Sequence, residues 1–360
     1  MNYKKVLITG GAGFVGSSIG VKLKEHYTNV QVLALDNLIR KGSELNLPRL
    51  EEYGIKFIKG DVREKEDLNI KGVDLLIECS AEPSVMAGVT SSPEYLLETN
   101  LWGAVNCFEM ARKEGTDVVF LSTSRVYPVH LLNSLDFVEK ETRFEFSKNQ
   151  KVQGASEKGI SEDFSLDGPR TLYGTTKLSA EFLLQEYIEN YKIRGIIDRF
   201  GLISGPWQMG KVDQGVIVLW MARHYFKKNI RYIGFGGEGK QVRDVINIDD
   251  LFALLNIQIE NIDKFSGLVH NVGGGSKNSI SLLELTGLCQ EITGNKVQVK
   301  KIKKTRPGDV KSYISNNSKI LEKCLELGYE WTPRKTVKTT LLEIHEWIKA
   351  NNEKLKNILE

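Results

Sequence analysis

In the segment RTLYGTTKLSAEFLL (170–184), Tyr173 stands four residues before Lys177 at the start of an amphipathic helical pattern. Residues at i and i+4 share one face of a helix, so a phenol and an ammonium placed this way converge on a common point. The ammonium stabilises a phenolate, and a phenolate takes the proton of an alcohol while a hydride leaves the same carbon. Alone, such a pair is more often an ordinary solvated helix face. A redox cofactor beside it gives it work to do. The hydroxyl of Thr123, which ends the run DVVFLST, is then the candidate bridge between phenol and reacting oxygen.

A dinucleotide site is legible at the N-terminus. TGGAGFVG (9–16) follows the first apolar run and opens the first helix, with Gly10, Gly13 and Gly16 around Phe14 and Val15. A glycine-rich turn lets the backbone approach a pyrophosphate at a helix N-terminus. Asp36, twenty residues after Gly16, offers a carboxylate to the adenosine ribose. That carboxylate repels a 2′-phosphate and so favours NAD over NADP, an effect that Arg40 and Lys41 would partly offset. Asp61, in GDV (60–62), is placed either for the adenine amino group or as a turn-former.

These residues need a scaffold. KKVLITG (4–10), VQVLALD (30–36), IKFIKGD (55–61), VDLLIECSA (73–81), DVVFLSTS (117–124) and IRGIIDRFG (193–201) alternate with helical stretches. Continuous apolar strands separated by helices predict a doubly wound parallel sheet, with ligands at the carboxyl ends of its strands. After residue 202 the pattern loosens into glycine turns (GFGGEGK, NVGGGSKN), a helix, the basic strand NKVQVKKIKK and two further helices. The polar segment 128–170 is long enough to suggest a functional lid or a disordered loop.

Composition narrows the function classes. The 360 residues are 41% hydrophobic and 26% charged, with a net charge of +3 and scattered lysines, which points away from nucleic acid. No apolar run reaches the ~18 residues of a membrane span, and the N-terminus lacks the features of a signal peptide. A cytoplasmic protein is expected. Cys79, Cys107, Cys289 and Cys324 sit apart in apolar contexts, and His130, His224, His270 and His345 lack partners at telling spacings, so no metal is expected.

In this order, TGGAGFVG, LALDNL, GDVRE, STSRVYP, YGTTK, RDVINIDD (243–250), NVGGG and RPGDV (306–310) resemble the extended short-chain dehydrogenase/reductases. Within that family the resemblance is to the NAD-dependent nucleotide-sugar epimerases and dehydratases, and it spans nearly the whole chain. It implies a Rossmann domain over 1–201 plus about 241–258, with 128–170 as a long insert near the active site. A smaller interleaved C-terminal domain over 202–240 and 259–360 would bind the nucleotide sugar. Thr123, Tyr173 and Lys177 would be the catalytic triad, and Asn37, Val62, Ala81 and Asn100 would join the glycine loop, Asp36 and Asp61 around NAD. Arg243 and Arg306 would hold the substrate diphosphate, with Ser84, Met86, Ser124, Arg125, Gln208 and Lys211 around the substrate.

Plainer readings stand beside several of these. Arg243 has Asp249 and Asp250 as alternative partners, Gln208 and Lys211 lie in a glycine-flanked connection, and Ser84 and Met86 suit a turn. Leu178, Phe182, Leu183 and Tyr187 form a helix stripe suited to packing, including packing across a subunit interface.

Dehydratases of the family follow the triad threonine with an Asp-Glu pair that eliminates water. Here Ser124 and Arg125 occupy those places. GPWQMGKVDQGV (205–216), SAEPSVMAG (80–88) and the insert ending SEKGISEDFSLDGPRTLYG are similar to the CDP-paratose 2-epimerase group of the family. The resemblance therefore implies an epimerase of a nucleoside-diphosphate sugar acting at C2, in a homodimer or homotetramer. A UDP-sugar 4-epimerase, a keto-sugar reductase and a non-catalytic dinucleotide-binding redox sensor are the alternatives.

Overall fold

The computed structural model describes residues 1–89, 91–211 and 214–359. Seven strands, β1 (Lys5–Thr9), β2 (Gln31–Asp36), β3 (Lys56–Lys59), β4 (Leu75–Glu78), β5 (Asp117–Thr123), β6 (Gly195–Phe200) and β7 (Val269–Val272), form one sheet in the order β7-β6-β5-β4-β1-β2-β3. β1 pairs in parallel with β2 and β4, β2 with β3, and β4 with β5. Every residue of β4, β5 and β6 is buried. Both of their faces are covered, which is why they read as unbroken apolar runs. The first six strands fall inside the six runs read from the sequence. β7 does not, because VHNV is short and half polar, and its strand conformation depends on its neighbour in the sheet.

The strand order reverses beside β1. The chain moves outward through β2 and β3, then crosses to β4 on the other side of β1. In open sheets of this kind ligands bind beyond the carboxyl ends of the strands at such a reversal. Helix α1 (Phe14–His26) leaves directly from β1, while α2 (Gly103–Glu114) and α3 (Leu172–Tyr191) cover β4 and β5. Phe108 of α2, Phe120 of β5 and Leu184 of α3 pack with Leu7 and Leu76 in one buried cluster. The two phenyl rings meet edge to face at 5.7 Å. Cutting either ring back to alanine would cost about 3–5 kcal/mol.

The chain forms two compact units, Met1–Thr123 with Leu172–Arg199 and Phe252–Val269, and Ser124–Thr171 with Phe200–Leu251 and His270–Glu360. The segment 128–170 thus groups with the second unit, and it is ordered. It carries a helix, Val129–Ser134, and two small hairpins, Phe137–Glu139 with Phe144–Phe146 and Ala155–Ser156 with Gly159–Ile160. Thr142 and Arg143 both bind Glu284, the residue that completes the capping box on helix Leu282–Thr293. These side chains anchor what the sequence suggests is a lid.

Within the second unit the strand Val242–Asn247 pairs with Leu202–Ser204, Ser279–Ser281 and Ser312–Tyr313. After the basic strand Val299–Ile302 come three helices instead of two, Ser318–Glu326, Val337–Ala350 and Asn352–Leu359. The last two are separated by Asn351 alone, at φ −117°. Among the described residues no helix is long and apolar enough to cross a membrane, and no cluster of His, Cys, Asp or Glu is placed to hold a metal ion.

Candidate active site

The glycine loop of the first unit is closed by approaches that exclude a side chain. Gly10 has φ +62°, and a Cβ there would meet the Cys79 carbonyl oxygen at 2.8 Å; a Cβ on Gly16 would lie 2.4 Å from the Gly10 carbonyl oxygen. Gly11 N–H donates to the Leu35 carbonyl and Gly13 N–H to that of Gly10, so the loop rests against β2. α1 begins at Phe14 with no side-chain cap on Gly13 and no acid in its first turn. Its N-terminal N–H groups, at the positive end of the helix dipole, are left for an anion.

Asp36 braces this loop from β2. Its Oδ2 accepts from Ala12 N–H at 3.1 Å and its Oδ1 from Leu38 N–H at 2.8 Å. Burial pushes the carboxyl above its usual range, while the N–H groups of Leu38, Ala12 and Gly13 pull the other way. With about four lone-pair sites on its two oxygens, the carboxylate keeps room for a ribose hydroxyl beside these donors. Cradle, uncapped helix and carboxylate together fit a dinucleotide.

Other residues expected around the cofactor have structural partners. Asp61 is held by Arg63 through Nε–Oδ1 at 3.0 Å and Nη2–Oδ2 at 2.8 Å, and by Asn37 Nδ2 at 2.9 Å. Burial pushes this carboxyl up, but Arg63 and Asn37 outweigh it and hold it at about 2. Buried Asn100 donates to the Glu82 carbonyl at 3.0 Å and accepts from Glu82 N–H at 2.7 Å, fixing the bend just after Ala81. Val62 is buried, and its carbonyl accepts from Asn106. Ser84 Oγ accepts from Met86 N–H at 3.2 Å, so these two residues do form a turn.

Thr123 closes β5, and Tyr173 and Lys177 occupy the first two turns of α3, all in the first unit. Thr123 is buried and Tyr173 half-buried. The Lys177 side chain is only 3% exposed, with Nζ 3.3 Å from Glu78 Oε2 and 4.0 Å from the centre of the Phe120 ring. Glu78 Oε1 accepts from Ser80 Oγ at 2.8 Å. One turn further along α3, buried Glu181 binds Arg199 of β6, with Nη2–Oε2 at 2.7 Å, and accepts from Ser122 Oγ. Tyr173, Lys177 and Glu181 thus follow one another at i, i+4 and i+8 on one helix face.

The second unit gathers arginines. Burial, then the neighbouring Arg125, with Arg306 adding to it, pulls the Arg243 guanidinium down to about 9 against the opposing pull of Asp309 and Asp244. Arg306 Nε donates to Asp309 Oδ2 at 3.2 Å, and Arg125 Nη1 donates to the Gly308 carbonyl at 2.9 Å. Asp244 is turned away, its Oδ2 accepting from the N–H groups of Gly275 and Ser315. Asp249 and Asp250 bind Lys335, so Arg243 is not paired with them. Arg243 and Arg306 lie beside Asp309 and Arg125 adds a third guanidinium, a concentration of positive charge that suits a diphosphate.

The connection 205–216 gives less. Gln208 donates to the Ile203 carbonyl at 3.2 Å and accepts from Ser204 Oγ at 3.1 Å, folding back on its own strand. Lys211 is exposed and bridges Gln214, each N–H donating to the other's carbonyl, while Val212 and Asp213 lie outside the described residues. Ser124 opens the short helical turn Ser124–Val126.

The profile of the NAD dependent epimerase/dehydratase family matches residues 6–273. The chain belongs to this family. CDP-paratose 2-epimerase of Salmonella typhi is 26% identical over 351 residues, covering 95% of this chain and 98% of that protein. UDP-glucose 4-epimerase of Corynebacterium glutamicum is 26% identical over 353 residues, with 94% of each chain covered. The solved UDP-glucose 4-epimerase of Thermotoga maritima, with UDP-glucose, has a TM-score of 0.76 at 25% identity and covers 97% of this chain and 99% of its own.

Membership in this family makes NAD the cofactor, and the glycine cradle and Asp36 are suited to it. Sequence reasoning missed Glu78, Glu181, Arg199 and Asp309 as partners of the site. Glu78 carried one signal, an acid inside the otherwise apolar run VDLLIECSA; Asp309 lay in RPGDV without a role.

Proposed function

We propose that this family member is an NAD-dependent epimerase of a nucleoside-diphosphate sugar that inverts the sugar C2, as the name CDP-paratose 2-epimerase describes for its relative. The observation that carries epimerisation over dehydration is the residue pair after Thr123, and the choice of C2 rests on the likeness to CDP-paratose 2-epimerase. Ser124 and Arg125 bring no acid to expel water, and Arg125 joins the arginine cluster instead. Redox at one carbon needs only a proton acceptor and a hydride partner.

Bound NAD supplies the acceptor and donor of the hydride. Tyr173, as phenolate, takes the sugar hydroxyl proton as the carbon becomes a ketone, and returns it when the carbon is reduced on its other face. Lys177 stabilises the phenolate, and Thr123 hydrogen-bonds the reacting oxygen. Arg243, Arg306 and Arg125 anchor the diphosphate while the keto-sugar turns over. The protein would act as a homodimer or homotetramer in the cytoplasm. A UDP-sugar 4-epimerase is the second reading, favoured by the relative from Corynebacterium glutamicum and the solved Thermotoga maritima enzyme.

The test is incubation with CDP-, UDP-, dTDP- and GDP-sugars in deuterated water. The expected product is inverted at one carbon, carries no solvent deuterium there and forms without net change in NADH. Deuterium at the inverted carbon would show proton abstraction next to a carbonyl. Stoichiometric NADH oxidation would show a reductase. Either outcome overturns the reading, and inversion at C4 selects the second one.

A further inference from the structure

Lys177 lies where the strand order reverses, and several elements of the first unit converge on it. β4 contributes Glu78 at 3.3 Å, and β5 contributes the face of Phe120 at 4.0 Å. The thiols of Cys79, just after β4, and of Cys107 on α2 are pushed up, first by burial and then by the Glu78 charge, with Lys177 opposing. β1 contributes the buried Thr9, beside Cys107. α3 itself contributes Tyr173 and Glu181, and Glu181 is neutralised by Arg199 of β6. Among the described residues, Glu78 is the carboxylate within ion-pair distance of Lys177.

The Lys177 ammonium is therefore held out of water with one carboxylate partner and an aromatic face. Burial favours a neutral amine, and a nearby carboxylate favours the charged form. A cation over a phenyl ring adds a smaller attraction of the same sign. Ser80, donating to the other Glu78 oxygen at 2.8 Å, orients that carboxylate.

We propose that Glu78 is a positioning residue of the proton-transfer site, acting through Lys177: it keeps Lys177 in the ammonium form and fixes it on the α3 face that carries Tyr173. The inference deepens, and rests on, the assignment of proton transfer to Tyr173 and Lys177. Removing the Glu78 charge leaves the buried lysine without its counterion. The amine then sheds its proton, and Tyr173 loses the cation that stabilises its phenolate.

The experiment uses NAD-loaded protein labelled with ¹³C at lysine Cε, with the Lys177 signal identified by its absence in Lys177→Met. At mildly alkaline pH the signal is expected at the ammonium position in the native protein and at the amine position in Glu78→Gln. The near-ultraviolet phenolate band that vanishes in Tyr173→Phe is expected to appear about one pH unit higher, or more, in Glu78→Gln. An unmoved lysine signal, or a phenolate band at unchanged or lower pH, overturns the proposal. Should Glu78→Gln fail to fold, Lys177→Met is compared with Glu78→Gln/Lys177→Met, in which no buried charge is orphaned. Action through the lysine predicts the same phenolate band in both; a shift between them would mean that Glu78 acts on Tyr173 directly and would sink the inference. The Tyr173 assignment fails separately, through undiminished turnover in Tyr173→Phe.

Discussion

Tyr173→Phe removes a single oxygen from a half-buried side chain at the start of α3. Fold and NAD content should persist while turnover of the responding nucleotide sugar drops by roughly 10²–10⁴, the usual contribution of a general acid–base group. Turnover within a factor of about two of the native protein would remove Tyr173 from the chemistry. Arg243 and Arg306 are proposed to bind the diphosphate. Alanine at either should weaken binding of the nucleotide sugar by about 1.5–3 kcal/mol, the range for hydrogen bonds to charged groups, without loss of NAD. Calorimetric titration reads both quantities. Unchanged affinity in both variants would take the diphosphate away from this cluster.

Asp244 follows Arg243 on the strand Val242–Asn247, and its carboxylate ties two neighbouring segments to that strand through the N–H groups of Gly275 and Ser315. Burial pushes this carboxyl up to about 6, against the pull of those hydrogen bonds. A folded-state value above the unfolded one means that the native state binds the extra proton. Stability is then full below about pH 4 and falls as pH rises to about 6, by about 3 kcal/mol for this group. Asp244→Asn keeps an acceptor for both N–H groups and cannot ionise. Its urea midpoint should exceed that of the native protein at neutral pH, and the difference should vanish near pH 4. An Asn variant less stable at neutral pH would show that the charge itself holds these segments.

The same strand shows where the sequence stops being informative about elements. Residues whose partners lie within a turn or a strand-turn-helix unit were legible. The glycine loop, Asp36 and the Tyr173–Lys177 spacing are fixed by local geometry, and the first six sheet strands announce themselves by continuous burial. Glu78 and Lys177 are 99 positions apart, and Arg125 and Gly308 are 183 apart. Those pairings exist only once strand order and loop docking are set. β7 and the ordered segment 128–170 escaped for the same reason, since neighbouring strands and Glu284, not their own composition, give them their structure.

At the scale of the whole molecule, the outer surface of the first unit bears on assembly. Trp102 is 60% exposed in the turn Glu98–Trp102, which packs against α3, and Phe182 is 51% exposed on α3 itself. Leu178, read from the sequence in one stripe with Phe182, is buried, so that stripe divides into a core edge and an outward edge. Large exposed apolar side chains on packed neighbouring elements suit a second copy of the chain, because a symmetric contact sets the same patch against itself. A stable contact of this kind buries roughly 1,200–2,000 Å² in total. Phe182→Glu and Trp102→Glu place a charge on that patch without touching the cofactor loop or the arginine cluster. Light scattering should find a dimer or tetramer for the native protein and a smaller species for each variant, with NAD retained. A monomeric native protein, or variants that assemble as the native protein does, would leave this face without a role in self-association.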